Sequence, residues 1–171
     1  MMRQPWPTVF ALMGAVVLQV AVAPHVAIAG VVPNFMLLVV VTLALTQGPD
    51  AGCVGGFLAG LTLDLLGSGP VGMWALVLCV TGFIAGLLEA NLFAQGWLLP
   101  VTVVLIAGLG AETAYAIVLS VVGESVAFWS TFWSNIVPGA AYNTFWAVLF
   151  YPFLARILRH EPVIRMVRRI G

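Results

Sequence analysis

The sequence predicts an all-α, polytopic integral membrane protein: a compact bundle of about six transmembrane helices forming a single domain over residues 1–171. Two observations predict this fold. Of the 171 residues, 63% are apolar and 7% are charged, and the mean hydropathy is +1.14, whereas a soluble domain carries about 25% charged residues. The apolar residues also form long runs that are separated by short turns rich in Gly and Pro. Such a chain cannot cover itself with polar groups, so we expect lipid to surround most of it.

Six apolar runs give the predicted spans. Their approximate bounds are 8–24, 33–47, 51–67, 71–88, 98–122 and 136–158, and a basic tail follows at 159–171. Pro33-Asn34 is predicted to start the second helix, because proline costs nothing in a first helical turn. The turn Gly48-Pro49-Asp50 separates the second and third runs, with Asp50 placed to cap the third helix. We expect the aromatic-rich segment 126–135 along the outer interface, since Trp rings favour the headgroup level.

A row of small residues runs along the third predicted helix. Its members lie four residues apart and end on a carboxylate: Gly48, Gly52, Gly56, Gly60 and Asp64. Residues at this spacing share one helix face. In a membrane, such a row lets a second backbone come close. Two interpretations stay open: the row packs helices within the chain, or part of it, or Asp64, serves a partner protein or a ligand.

Three polar residues inside the predicted spans are candidates for a special role, because polar groups in a membrane are costly. Asp64 lies near the outer end of its helix, where it is positioned to accept hydrogen bonds from the turn at 67–72. Glu112 lies mid-span, and we expect it to be hydrogen-bonded to a neighbouring helix in a structural or assembly role. Asn143 is the corresponding polar residue of the last span.

Basic residues near the C-terminal end predict the orientation. All but one of the arginines follow the last span closely: Arg156, Arg159, Arg165, Arg168 and Arg169. Such an excess marks the cytoplasmic side, and with six spans the N-terminus is cytoplasmic too. The tail either lies on anionic lipid as a short basic segment or serves only as a topology determinant.

Composition and motifs argue against several function classes. The net charge is zero at pH 7, so the sequence lacks the basic patch expected for nucleic-acid binding. It contains no HExxH, GxSxG, CxxC or P-loop motif. Cys53 and Cys79 lie in apolar runs and are interpreted as buried thiols that act as small hydrophobes. His25 and His160 fall on opposite sides of the predicted membrane. We therefore expect no enzyme activity, no cofactor and no metal.

One family shares a pattern with this chain. The matching residues are Pro33-Asn34 at the start of the second run, then Gly56-Phe57, Gly60-Leu61, Asp64, Gly69 and Gly72. This pattern resembles the signature of the MreD rod shape-determining proteins, and the length, the six spans and the basic tail agree. The resemblance implies a non-catalytic component of the bacterial inner membrane that takes part in cell elongation and peptidoglycan synthesis. It implies binding to the bitopic protein MreC, near RodA, a class B penicillin-binding protein and MreB.

The resemblance also supplies an alternative function. The MreD fold is similar to that of the substrate-binding subunits of energy-coupling-factor transporters, which bind vitamins. Such a subunit would enclose a polar pocket near its outer face. The predicted outer turns offer few polar side chains for that pocket, mainly Ser68, Glu124, Ser125, Ser130 and Asn135. A ligand site normally needs a few polar anchors among apolar walls, so the scaffold is the favoured interpretation.

Overall fold

A computed structural model describes residues 6–28, 30–91, 98–123 and 127–158, with the backbone alone at 89–91 and 98–99. The described residues are helical and contain no β-strand. Within these ranges, seven helices follow one another: α1 Trp6–Val17, α2 Phe35–Gln47, α3 Pro49–Leu66, α4 Met73–Asn91, α5 Leu98–Val122, α6 Phe128–Thr131 and α7 Val137–Leu158. One π-helical turn, Leu18–Val22, extends α1, and another, Phe132–Ile136, joins α6 to α7.

Each predicted span has a helix in its place, and the helix ends lie within a few residues of the predicted bounds. Two local details differ. Pro33 precedes α2, and Asn34 is the N-cap, whose side chain accepts a hydrogen bond from the Leu37 N–H at 3.0 Å. Asp50 does not cap α3, because the N-cap position is Gly48 and no side chain caps this end. Asp50 is instead exposed in the first turn, where its negative charge interacts favourably with the positive end of the helix dipole.

Helix α2 forms the centre of the bundle. Every residue from Phe35 to Leu45 is buried, and α1, α3, α4, α5 and α7 all pack against this helix. A helix that is apolar on all sides must be surrounded by protein or by lipid. With 13 residues, α2 is about 20 Å long, which is less than the hydrocarbon thickness of about 30 Å. The helices packed against α2, and not lipid, therefore surround its apolar side chains.

The outside of the bundle is apolar as well. Large hydrophobic side chains such as Phe10, Leu65, Val121 and Phe153 are more than half exposed, and extended apolar surface marks contact with a membrane or with protein. By length and composition, one described helix, Pro100–Val122, is sufficient to cross a membrane, and its mean hydropathy is 1.9. Shorter apolar helices lie at Trp6–Val22, Phe35–Gln47 and Met73–Leu88. The all-helical fold is confirmed, whereas six membrane crossings remain a prediction.

Aromatic side chains gather at the start of the last helical unit. Trp129 and Trp133 are exposed, and their ring centroids lie 6.1 Å apart in an edge-to-face arrangement. Phe132 also contacts Trp133, with centroids 5.4 Å apart. These rings stand on α6 and the π-helical turn after it, as an exposed aromatic segment suited to a membrane interface.

Candidate functional site

The row of glycines on α3 faces α4 at very short range. A Cβ added at Gly56 would overlap the carbonyl oxygen of Leu78, and one added at Gly60 would overlap that of Trp74. In both cases the obstacle is backbone, which a side-chain rotation cannot move. The two helices therefore touch along their main chains, and only glycine fits at these positions.

Helix α4 contributes glycines to the same contact. A Cβ at Gly82 would overlap the carbonyl oxygen of Gly52, and one at Gly86 would overlap the backbone of Pro49. We call this contact the glycine seam; its members are Gly52, Gly56 and Gly60 of α3 and Gly82 and Gly86 of α4. Close backbone approach of this kind gives membrane helices dispersion contacts and short polar contacts in place of a hydrophobic driving force.

Asp64 lies at one end of the glycine seam, in the last turn of α3. Asp64 is 4% exposed, and its carboxylate accepts hydrogen bonds from three backbone N–H groups at the start of α4: Gly72, just before the helix, at 2.8 Å, and Trp74 and Ala75, in its first turn, each at 3.1 Å. The first N–H groups of a helix have no partner within the helix. A carboxylate from α3 thus satisfies the start of α4, and the negative charge lies at the positive end of the α4 dipole.

The turn between α3 and α4 accounts for the two remaining glycines of the predicted site. Gly72 has a φ of +102°, a left-handed conformation that glycine adopts without strain. At Gly69, an added Cβ would lie 2.9 Å from the Tyr115 hydroxyl of α5. Tyr115 in turn stacks on Trp74, with ring centroids 4.2 Å apart. The turn is therefore fixed by Asp64 on one side and by α5 on the other.

At the start of α2, as at the start of α4, side chains from other helices accept hydrogen bonds from backbone N–H groups. The Asn34 N–H donates to Oδ1 of Asn143 at 2.7 Å, and the Phe35 N–H donates to Oε1 of Gln19 at 2.8 Å. Nε2 of Gln19 also donates to the carbonyl oxygen of Pro33 at 3.2 Å. The side chains come from α7 and from the π-helical turn of α1, so this junction joins three helices. Asn143, predicted as an intramembrane polar residue, has a defined structural role here.

Some polar groups on α5 and α7 have no hydrogen-bond partner among the described residues. The Glu112 carboxylate lies partly buried in α5 and forms no hydrogen bond with the described part of the chain, so the predicted bond to a neighbouring helix is not formed. On α7, the buried Nδ2 of Asn143 and Nε1 of Trp146 also have no acceptor among the described residues. No group of three or more His, Cys, Asp or Glu side chains suited to a metal ion occurs in the same described ranges.

Comparison with known families decides what the chain is similar to. The family model described as rod shape-determining protein MreD matches residues 3–160, which is nearly the whole chain. The chain belongs to the MreD family. The resemblance seen in the sequence is thereby confirmed, and the protein is a rod shape-determining membrane protein. Neither a curated protein nor a solved structure matches this MreD chain, so its similarity to energy-coupling-factor subunits stays a prediction.

Two open grooves mark the outer surface of this MreD protein. The α4–α5 groove has a volume of about 360 Å³, and Thr81 is its one polar side chain among the described lining residues. The α1–α7 groove, whose floor is α2, has a volume of about 200 Å³ and is lined by residues such as Phe10, Gly14, Phe153 and Ile157. Both grooves open to the side of the bundle, where lipid or another membrane helix would lie.

The basic residues predicted for this MreD chain fall at and beyond the end of α7. Arg156 is exposed in the last turn of α7, where its positive charge interacts favourably with the negative end of the helix dipole. The other predicted basic residues, Arg159, Arg165, Arg168 and Arg169, lie outside the described residues, as does His160. Their assignment to a cytoplasmic tail stays a prediction.

Sequence reasoning missed three residues that the MreD structure places in key contacts. Gly82 and Gly86 lie four residues apart, which is the same spacing that marked the row on α3, so the pattern was available in the sequence. Gln19 is the strongly polar residue of the first apolar run. A lone amide in such a run indicates that a backbone group elsewhere needs a partner.

Proposed function

We propose that this MreD protein is a non-catalytic, multi-pass component of the rod complex in the bacterial inner membrane, with both termini in the cytoplasm. It binds MreC and holds it near RodA, a class B penicillin-binding protein and MreB, and thereby supports peptidoglycan synthesis during elongation. The observation that carries this proposal is the family match over residues 3–160. The structure contributes the surfaces on which such binding would occur.

The buried polar residues support a structural use. The Asp64 carboxylate accepts from Gly72 and from two N–H groups in the first turn of α4, and the side-chain oxygen of Asn143 accepts from the Asn34 N–H at the start of α2. Hydrogen bonds of this kind fix helix positions. They leave the Asp64 carboxylate engaged with the backbone, where it is poorly placed to act as a general base.

The glycine seam is filled from within the chain. Because α4 occupies the groove of missing side chains on α3, a partner helix must use a different face. The open α4–α5 and α1–α7 grooves are such faces. Ala107, Gly110 and Ala114 supply small residues in the α4–α5 groove, and small residues favour close approach of a membrane helix.

No observation favours the vitamin-binding alternative. Among the described lining residues, both grooves are apolar apart from Thr81, whereas a vitamin site needs several polar anchors. Both grooves also open sideways, towards the surroundings of the bundle.

Photo-crosslinking in native membranes tests MreC binding. A photoreactive amino acid is placed at Val80 or Ile106 in the α4–α5 groove and at Phe10 or Phe153 in the α1–α7 groove. Matched exposed positions on α3, Val54 and Leu65, serve as controls. We expect MreC to be captured from one groove and not from the α3 positions. Failure to capture MreC from any position, or equal capture from all of them, would contradict the proposal.

Thiol labelling of sealed cells tests the orientation. In a chain whose native cysteines are replaced by serine, Ser68→Cys should react with a membrane-impermeant maleimide in intact cells. Gly171→Cys should react only after the membrane is opened. The reverse pattern would place the termini outside the cytoplasm.

A further inference from the structure

The two cysteines of the chain lie side by side on neighbouring helices. Cys53 is on α3 and Cys79 is on α4, and their sulfur atoms are 2.7 Å apart. Both are free thiols, and both side chains are partly exposed at the surface of the bundle. They are therefore close to each other and within reach of a small molecule from outside.

The glycine seam holds this pair together. Cys53 follows Gly52 in the sequence, and Cys79 follows Leu78, whose carbonyl oxygen lies against Gly56. The two backbones cannot drift apart at this level without opening the seam. A disulfide has an S–S distance of about 2.05 Å, so a small side-chain adjustment is sufficient to bring the sulfurs to bonding distance.

We propose that Cys53 and Cys79 are an oxidation site at which a membrane-soluble hydroperoxide produces a disulfide between α3 and α4. One sulfur attacks the terminal peroxide oxygen, the O–O bond breaks, and the products are a sulfenic acid and an alcohol. The second sulfur then attacks the sulfenic sulfur and displaces water. In total, two thiols lose two hydrogens, and the hydroperoxide is reduced to an alcohol and water.

This site has a mechanical consequence that does not depend on the proposed binding to MreC. A disulfide between these positions ties α3 to α4 within one chain and restricts the unfolded state. The seam then cannot open even when its hydrogen bonds and backbone contacts are weakened. Oxidation would thus lock the α3–α4 pair, and reduction would release it.

Thiol counting tests the proposal on the full chain in lipid nanodiscs. The protein is treated with cumene hydroperoxide, quenched in acid, unfolded in SDS and labelled with a maleimide that adds a visible mass. We expect two labels before treatment, none after it, and two again after reduction with dithiothreitol. Peptide mapping without reductant should find Cys53 joined to Cys79 within a monomer.

Single variants and a rate comparison complete the test. Cys53→Ser and Cys79→Ser should each show one label before treatment and one after reduction with dithiothreitol, and neither should yield the intrachain cross-link, since each lacks one of the two sulfurs. The folded chain should also form the bond on the order of tenfold or more faster than the chain unfolded in SDS, because the fold holds the thiols in proximity. Persistence of two labels, cross-links between chains, or equal rates in the folded and unfolded chains would overturn the proposal.

Discussion

Helix α4 presents two very different contacts on two of its faces. Towards α3, it forms the glycine seam, where the backbones touch and a single added carbon atom would collide with a carbonyl group. Towards α5, it forms a groove of about 360 Å³ that opens to the surroundings. The same helix is thus packed as closely as backbones allow on one face and loosely on the other.

The difference lies in which helices contribute small residues. At the seam, glycines come from both partners, so the main chains meet. At the groove, α5 offers Ala107, Gly110 and Ala114, whereas α4 offers larger side chains such as Val80 and Ile84. The larger side chains hold the helices apart, and the space in front of the small ones stays open. Small residues close an interface when both helices have them, and they leave room for another occupant when only one helix does.

The largest expected effect comes from a methyl group placed in the seam. Gly56→Ala should destabilise the protein by about 3 kcal/mol, because the new Cβ meets backbone that must shift. The matched control is Gly110→Ala on α5, where nothing lies within 4 Å of the new atom. That control should be neutral or stabilising by about 0.5 kcal/mol, since alanine favours helix. Thermal unfolding in detergent measures both, and equal unfolding temperatures would remove the distinction between seam and groove.

Removal of the Asp64 carboxylate tests whether this end of the seam depends on the hydrogen bonds that Asp64 accepts. Asp64→Ala should cost about 2 kcal/mol, because three backbone donors lose a charged acceptor. Asp64→Asn keeps one acceptor oxygen and should cost less. Asp50→Ala provides the control, since that exposed carboxylate lies in a first turn without capping the helix. Unfolding by denaturant should show the largest loss of stability for Asp64→Ala, a smaller loss for Asp64→Asn and the smallest for Asp50→Ala. An Asp64→Ala protein as stable as the control would show that Asp64 does not stabilise the start of α4.

A smaller effect is expected away from the seam, at the start of α2. Asn143→Ala should cost about 1 kcal/mol, because the Asn34 N–H loses its acceptor in the protein interior. The exposed Asn135 of the preceding π-helical turn is the control for loss of an amide. If Asn143→Ala and Asn135→Ala unfold at the same temperature, the hydrogen bond from Asn34 to Asn143 contributes nothing measurable to stability.

The smallest effect on stability is expected in the α4–α5 groove. Gly110→Leu fills open space and should change the free energy of unfolding by roughly 0.5 kcal/mol or less, the usual range for a surface substitution. If a partner helix occupies this groove, the same change should reduce the amount of MreC that co-purifies. Pull-down from membranes measures the loss, with Val54→Leu on α3 as the control. Unchanged recovery of MreC would exclude this groove as the docking surface.

The sequence predicted the general architecture and part of the site. Composition predicted an all-helical bundle, and the four-residue spacing of Gly52, Gly56 and Gly60 predicted a close helix contact on that face. The position of Asp64 next to the turn at 67–72 suggested backbone donors, and the structure supplies them at Gly72 and in the first turn of α4. Each of these predictions depends on residues close together in the chain, where the helical repeat alone decides which side chains share a face.

Contacts between distant segments were beyond such reasoning. Nothing local indicates that Cys53 and Cys79 lie at the same height, because that depends on the register of two antiparallel helices. The pairing of Gln19 with Phe35 and of Asn143 with Asn34 likewise depends on how three helices meet. The central position of α2 could not be predicted either, because a helix needs an apolar sequence both in lipid and in the interior of a protein.

The bond from the Asn34 N–H to Asn143 joins residues 109 positions apart. During synthesis, α2 leaves the ribosome long before the helix that supplies its acceptor exists. Until α7 is made, the Asn34 N–H lacks the acceptor that it has in the finished protein, and α2 lacks one of the helices that surround it. A chain stopped before residue 143 would therefore leave the central helix α2 uncovered on the side that α7 occupies in the finished bundle.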